Sequence, residues 1–114
     1  MTTAVLSVPG AVGGAFAASD GETVDGFSDE HTEYEWALVT AHFGVIFSMI
    51  QRSTKKNFAS YAQSVVIRLK EYDIVLKLVA DGYYAILALQ DTGQIGSALK
   101  ALNIASIALK KEMF

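Results

Sequence analysis

The segment SDEHTEYEWALVTAHFGVIFSMIQRS, residues 28–53, constrains this chain more than any other. It reads as one long helix with more apolar surface than a single buried side needs. Thr32 and Glu35 have the spacing of a capping box, and Asp29, Glu30 and Glu33 place negative charge where the helix dipole favours it. Arg52, Lys55 and Lys56 lie toward the opposite end, again with the favoured sign. Trp36, Val39, Phe43, Ile46 and Ile50 recur at intervals of three and four, and Leu38, Val45 and Met49 form a second stripe beside them. One stripe can face the chain's own sheet. A chain of 114 residues has little left with which to cover the other, so that side invites a second polypeptide. The run is about fifteen residues long and includes Thr40, His42 and Ser48, too short and polar to span a bilayer.

With 52% hydrophobic residues and one proline, the chain suits a single domain over residues 1–114. It contains no cysteine, which excludes disulfide scaffolds, thiolate metal sites and cysteine nucleophiles and fits a reducing, cytoplasmic setting. The net charge of −3 is unevenly spread. Asp20, Glu22, Asp25, Asp29, Glu30, Glu33 and Glu35 precede Gln51 with no Lys or Arg among them, whereas all 9 basic residues follow it. Such polarity can steer a partner. Nucleic acid is not the expected one, because the overall sign is wrong and Arg52, Lys55 and Lys56 are too few for a phosphate track.

The glycine-rich opening, VPGAVGGAFAASDGETVDGF, invites sharper readings. A dinucleotide fingerprint needs G-x-G-x-x-G, and a phosphate-binding P-loop needs Lys followed by Ser or Thr. Gly10, Gly13 and Gly14 meet neither pattern, and no lysine occurs before Lys55. Ala15-Phe16-Ala17 imitates a signal-peptide cleavage site, but no basic residue precedes it and Pro9 interrupts the apolar run. A hairpin fits better. Val12 to Ala18 forms a strand of small residues over which a helix can sit closely, Asp20-Gly21 turns, and Glu22 to Phe27 returns.

SVVIRLKEY, DIVLKLVAD and GYYAILALQ read as three further strands, with Asp81-Gly82 turning between the last two. Val65, Ile67 and Leu69 alternate with Val66, Arg68 and Lys70, the pattern of an edge strand with one wet face, while Tyr83 to Leu89 is apolar on both faces, as a central strand should be. Asp91 or Thr92 can cap a last helix over about Gln94 to Met113, which would turn Ile95, Leu99, Leu102, Leu109 and Met113 to the sheet. The order β-β-α-β-β-β-α predicts an α+β domain.

Taken in order, VPGAVGGAFAASDGETV, the long helix after an acidic loop, DGYYAILAL and GQIGSALKAL resemble the Roadblock family of dynein light-chain type, and its bacterial MglB-like branch of small-GTPase regulators. The likeness runs over nearly the whole chain from Val8. It implies a five-stranded antiparallel sheet with helices on both faces, a profilin-like sandwich, whose members pair through the long helix and the neighbouring edge strand. Family members begin with a full helix, whereas only Met1 to Val8 precede Pro9 here, so the first helix is expected to be short or missing. The family's members are non-catalytic platforms for Ras-like small GTPases or motor complexes, and the MglB type stimulates its GTPase.

Candidate chemistry is sparse. His31, near Asp29, Glu30 and Glu35, would make a metal face if a second histidine were suitably spaced, and none is. Glu33 and Glu35 point apart on a helix, and no nucleophile elbow occurs. His42 reads as a buried or interfacial imidazole. Arg52 and Arg68 read as a helix-end charge and as edge protection or a pairing contact, in preference to an arginine finger. No catalytic residue, metal or cofactor is expected. The expected role is a dimeric scaffold that binds a Ras-like small GTPase, a paralogous Roadblock protein or both. Trp36, Val39, Phe43, Ile46, Ile50, Val66 and Arg68 would form its pairing surface, and Glu30, Glu33, His42 and Gln51 would meet the partner. The alternative is a GTPase-activating protein that reshapes its partner's switch regions. A sensor of small molecules, using an incompletely covered sheet face, ranks behind both.

Overall fold

The computed structural model describes residues 7–18, 23–28, 33–80, 82–90 and 94–113, without the side chains of residues 23–25, 33, 34 and 113. The described elements run β1 (Ala11–Ala18), β2 (Thr23–Ser28), α1 (Glu33–Phe58), β3 (Ser64–Arg68), β4 (Asp73–Ala80), β5 (Tyr83–Leu89) and α2 (Ile95–Met113). All strand pairs are antiparallel and the order is β2-β1-β5-β4-β3. The α+β sheet expected from the sequence is therefore present, with β5 central and β3 at an edge. The Asp20-Gly21 turn, Thr32, His31 and the caps Asp91 and Thr92 lie outside the described residues, as do residues 1–6, where the short first helix was expected.

Strand alternation sorts the core into two layers. Phe16, Val75, Val79, Ala85, Leu87 and Leu89 meet Ala98 and Leu102 of α2, with Val8 packed against the same layer. On the other face Ala15, Ala17, Ile74, Leu76, Tyr84 and Ile86 meet Trp36 and Phe47 of α1. Small residues let α1 approach closely. A Cβ added at Gly13 would lie 3.0 Å from two atoms of the Trp36 ring, and one at Gly44 would lie 2.5 Å from Tyr84 Oη. That hydroxyl donates to the Thr40 carbonyl at 2.7 Å, so Gly44 gives up helix propensity to admit a buried tyrosine.

Helix α1 runs beyond the apolar pattern to Phe58, and its last turn carries Lys55 and Lys56. It stops because Ala59 adopts φ 54°, where its N–H bonds back to the Lys55 carbonyl at 3.0 Å. Alanine bears a Cβ penalty in that left-handed conformation that glycine escapes. Ala59→Gly should therefore raise stability by about 0.5–1 kcal/mol in urea denaturation.

Candidate interaction surface

Of the two stripes foreseen on α1, one is committed within the chain. At about 100° per residue, positions 36, 40, 43 and 47 share one side of the helix. Trp36 is 4% exposed and its indole N–H donates to the Gly14 carbonyl at 2.9 Å. Phe47 is buried beside Tyr84 at a ring separation of 5.7 Å. Val39 and Phe43 are half-buried against the same layer. The expectation that Trp36 lies on a surface offered to another chain is thus corrected: it needs a carbonyl acceptor and a space left by glycine, and its own β1 supplies both.

The opposite side is open. Leu38, Ile46, Val45 and Met49 are 45%, 41%, 59% and 60% exposed, with exposed His42 among them. Of the first stripe only Ile46 falls clearly within this patch, flanked by half-buried Ile50. The outward stripe is the second of the two, read from the sequence as Leu38, Val45 and Met49.

Two other placements need correction. Val66 and Arg68 do not join this patch, because on β3 it is Val65 and Ile67 that pack beneath α1. Strand alternation turns Val66 and Arg68 to the α2 face, where Val66 pairs with Val75 and Arg68 with Asp73. Gln51 is not open to a partner in the way expected, since its amide donates to the Ala62 carbonyl at 2.9 Å and accepts from the Ala62 N–H at 2.6 Å. Glu30 lies outside the described residues and the Glu33 side chain outside the described side chains.

Arg68 has a different neighbour. Its Nε lies 3.4 Å from Oδ1 of Asp73, a side chain with no exposure, while Arg68 itself is 63% exposed. The pair is ionic by distance, yet neither carboxylate oxygen has a hydrogen bond of good geometry. Removing one partner of a buried ion pair leaves an uncompensated charge, and with one end in solvent the cost for Arg68→Ala should be about 2 kcal/mol. Adding Asp73→Val should restore stability to the starting value or above, which a double-mutant cycle in urea would read.

Among the described residues no cluster of His, Cys, Asp and Glu has the arrangement of a metal site. No helix among them is long and apolar enough to cross a membrane. The chemistry this surface offers is apolar association.

No family model and no curated protein matches the sequence. Solved structures do match. A Roadblock/LC7 domain from Streptomyces avermitilis superposes with a TM-score of 0.89 at 12% identity, over 99% of this chain and 93% of that one. MglC from Myxococcus xanthus has a TM-score of 0.71 at 23% identity, over 99% and 95%. An MglB described as having a tetrameric arrangement has a TM-score of 0.83 at 12% identity, over 96% and 82%. Identities this low speak to architecture.

Proposed function

Because the chain has the Roadblock/LC7 fold, we propose that it is a non-catalytic regulatory scaffold that pairs with a second copy through α1 and presents the assembly to a Ras-like small GTPase or a paralogous Roadblock protein. The observation that carries this reading is the open stripe of Leu38, Val45, Ile46 and Met49. Large apolar side chains clustered on one exposed helix side mark an interaction surface, and a two-fold arrangement is the usual way to cover a self-complementary one. The likeness to an MglB described as tetrameric supports self-association, and the likeness to MglB and MglC supports a place in a small-GTPase system.

The expected affinity is modest. Covering a half-exposed side chain yields about 1 kcal/mol, so four from each copy give roughly 8 kcal/mol. That is comparable with the ~4–15 kcal/mol lost as freedom on association. The stripe therefore needs help from surrounding contacts, and a micromolar equilibrium is expected in place of a nanomolar one. Sedimentation equilibrium across the micromolar range tests the pairing, and a single monomeric species throughout would refute it. The scaffold reading also expects a co-purifying GTPase to turn over GTP at its own rate when this protein is saturating; acceleration would instead establish the activating role.

A further inference from the structure

A groove of about 500 Å³ runs along the flank of α1 that carries Phe47, Gln51 and Lys55, between the second half of the helix and the β4–β5 hairpin, with its Arg52–Lys56 rim continuing the helix face of Val45 and Met49. Phe47, Leu78 and Tyr84 contribute to its apolar floor, and Arg52, Lys55 and Lys56 to its rim. No acidic side chain is among the described residues that line it. Nor does any of the three cations have an ion pair among the described interactions; Lys55 instead lies 5.3 Å from the centre of the Tyr61 ring. We propose that this groove binds an acidic peptide segment of a partner protein, seating one leucine or aromatic side chain on the floor while flanking carboxylates meet Arg52, Lys55 and Lys56.

Construction of the wall favours binding without large rearrangement. Tyr61 stands opposite the helix because the turn after α1 is tied down at several points. Gln51 holds both backbone groups of Ala62, and the Leu78 N–H donates to the Gln63 carbonyl at 2.9 Å. A pre-ordered wall reduces the entropy lost on binding. The three cations fall within about one turn, roughly 6 Å, of the helix, so they concentrate positive charge at one stretch of the rim, where carboxylates flanking a single seated side chain can meet them.

Other anions fit less well. A phosphate group is best held by backbone N–H groups at a helix start, whereas the described lining of this groove comes from the second half of α1 and offers none. A nucleotide base would need an aromatic face to stack on. Tyr84 is buried with its hydroxyl committed to Thr40, Tyr83 stacks on Phe16 at 5.7 Å, and Lys55 covers Tyr61. Three cations alone hold an anionic membrane only weakly, at about 1 kcal/mol each, and leave the apolar floor without a purpose.

The test is fluorescence anisotropy of the full chain with a fluorescein-labelled peptide DELYED at low salt. Saturable binding is expected, weakened about tenfold or more by replacing Leu and Tyr of the peptide with Ser, and likewise by replacing its acids with amides. The double variant Arg52→Glu, Lys56→Glu should weaken it to the same degree. If charge reversal disturbs the native circular dichroism, Arg52→Gln with Lys56→Gln replaces it. Val45→Ser, which removes apolar surface from the pairing stripe without adding charge near Arg52, should leave peptide affinity unchanged, which separates this site from that stripe. Absence of saturation up to about 1 mM, indifference to the rim substitutions, or binding to phosphatidylserine vesicles without binding to the peptide would overturn the proposal.

Discussion

Replacing Trp36 with alanine is expected to lower the free energy of unfolding by about 4 kcal/mol, the largest loss foreseen for any single substitution in this chain. Three consequences of the same truncation add together. The ring is 4% exposed, so nearly all its apolar surface is returned to water. Its neighbour cannot fill the space, because Gly13 has no side chain with which to follow the retreating ring. The Gly14 carbonyl loses the indole N–H that now reaches it at 2.9 Å, leaving a buried acceptor with less than its share of donors. For a domain whose whole stability is about 5–15 kcal/mol, such a loss takes a large part of the total. Urea denaturation should show a lower midpoint with an unchanged slope, and the melting temperature should fall by roughly 15 °C. Trp36→Phe should cost about half as much, since most of the packing remains and the hydrogen bond does not. If Trp36→Ala left stability intact and weakened only self-association, the inward placement of this side chain would be wrong.

The same residue shows where the sequence is informative and where it is not. Element order, the central position of β5 and the edge position of β3 follow from local pattern: apolar runs on both faces against alternation on one. The choice between the two stripes of α1 does not, because a helical wheel treats both as equally apolar. What decides it is fit. Trp36 shares its side of the helix with Thr40, Gly44 and Phe47; the missing side chain at Gly44 lets the Tyr84 hydroxyl reach the Thr40 carbonyl, Phe47 packs beside the Tyr84 ring, and Trp36 faces glycines on β1. A tryptophan spaced with Thr and Gly in this way was a readable sign of close intramolecular contact, and Phe47 was readable as its companion. The parity of β3 was also available, since Val65 and Ile67 alternate with Val66 and Arg68 and cannot share a face with them. The Gln51 clamp was not. It depends on the left-handed turn at Ala59, where no glycine or asparagine announces such a conformation. Nor was the pairing of Arg68 with a buried Asp73 legible, because the burial of that carboxylate is set by tertiary packing and not by local pattern.

Placing aspartate at both Val45 and Met49 is expected to abolish self-association at micromolar concentration while leaving the monomer's stability within about 0.5 kcal/mol of its starting value. These side chains project where the chain has nothing to put against them: both are about 60% exposed. In the isolated chain a carboxylate there sits in water; aspartate differs little from valine in helix propensity and by only a few tenths of a kcal/mol from methionine. In the proposed pair each would be pressed into an apolar seam without a counter-charge, twice over because of the two-fold axis. Each such burial costs several kcal/mol against an equilibrium held by only a small surplus, so dissociation should tighten its demand for protein by at least about a hundredfold. The contrast with Trp36→Ala is the informative result, since one substitution should destabilise the monomer and the other should spare it. Sedimentation equilibrium and urea denaturation on the same samples separate the two effects. A double aspartate chain that still pairs with unchanged affinity would move the contact off α1, and one that unfolds would mean that this side of the helix is covered by its own chain.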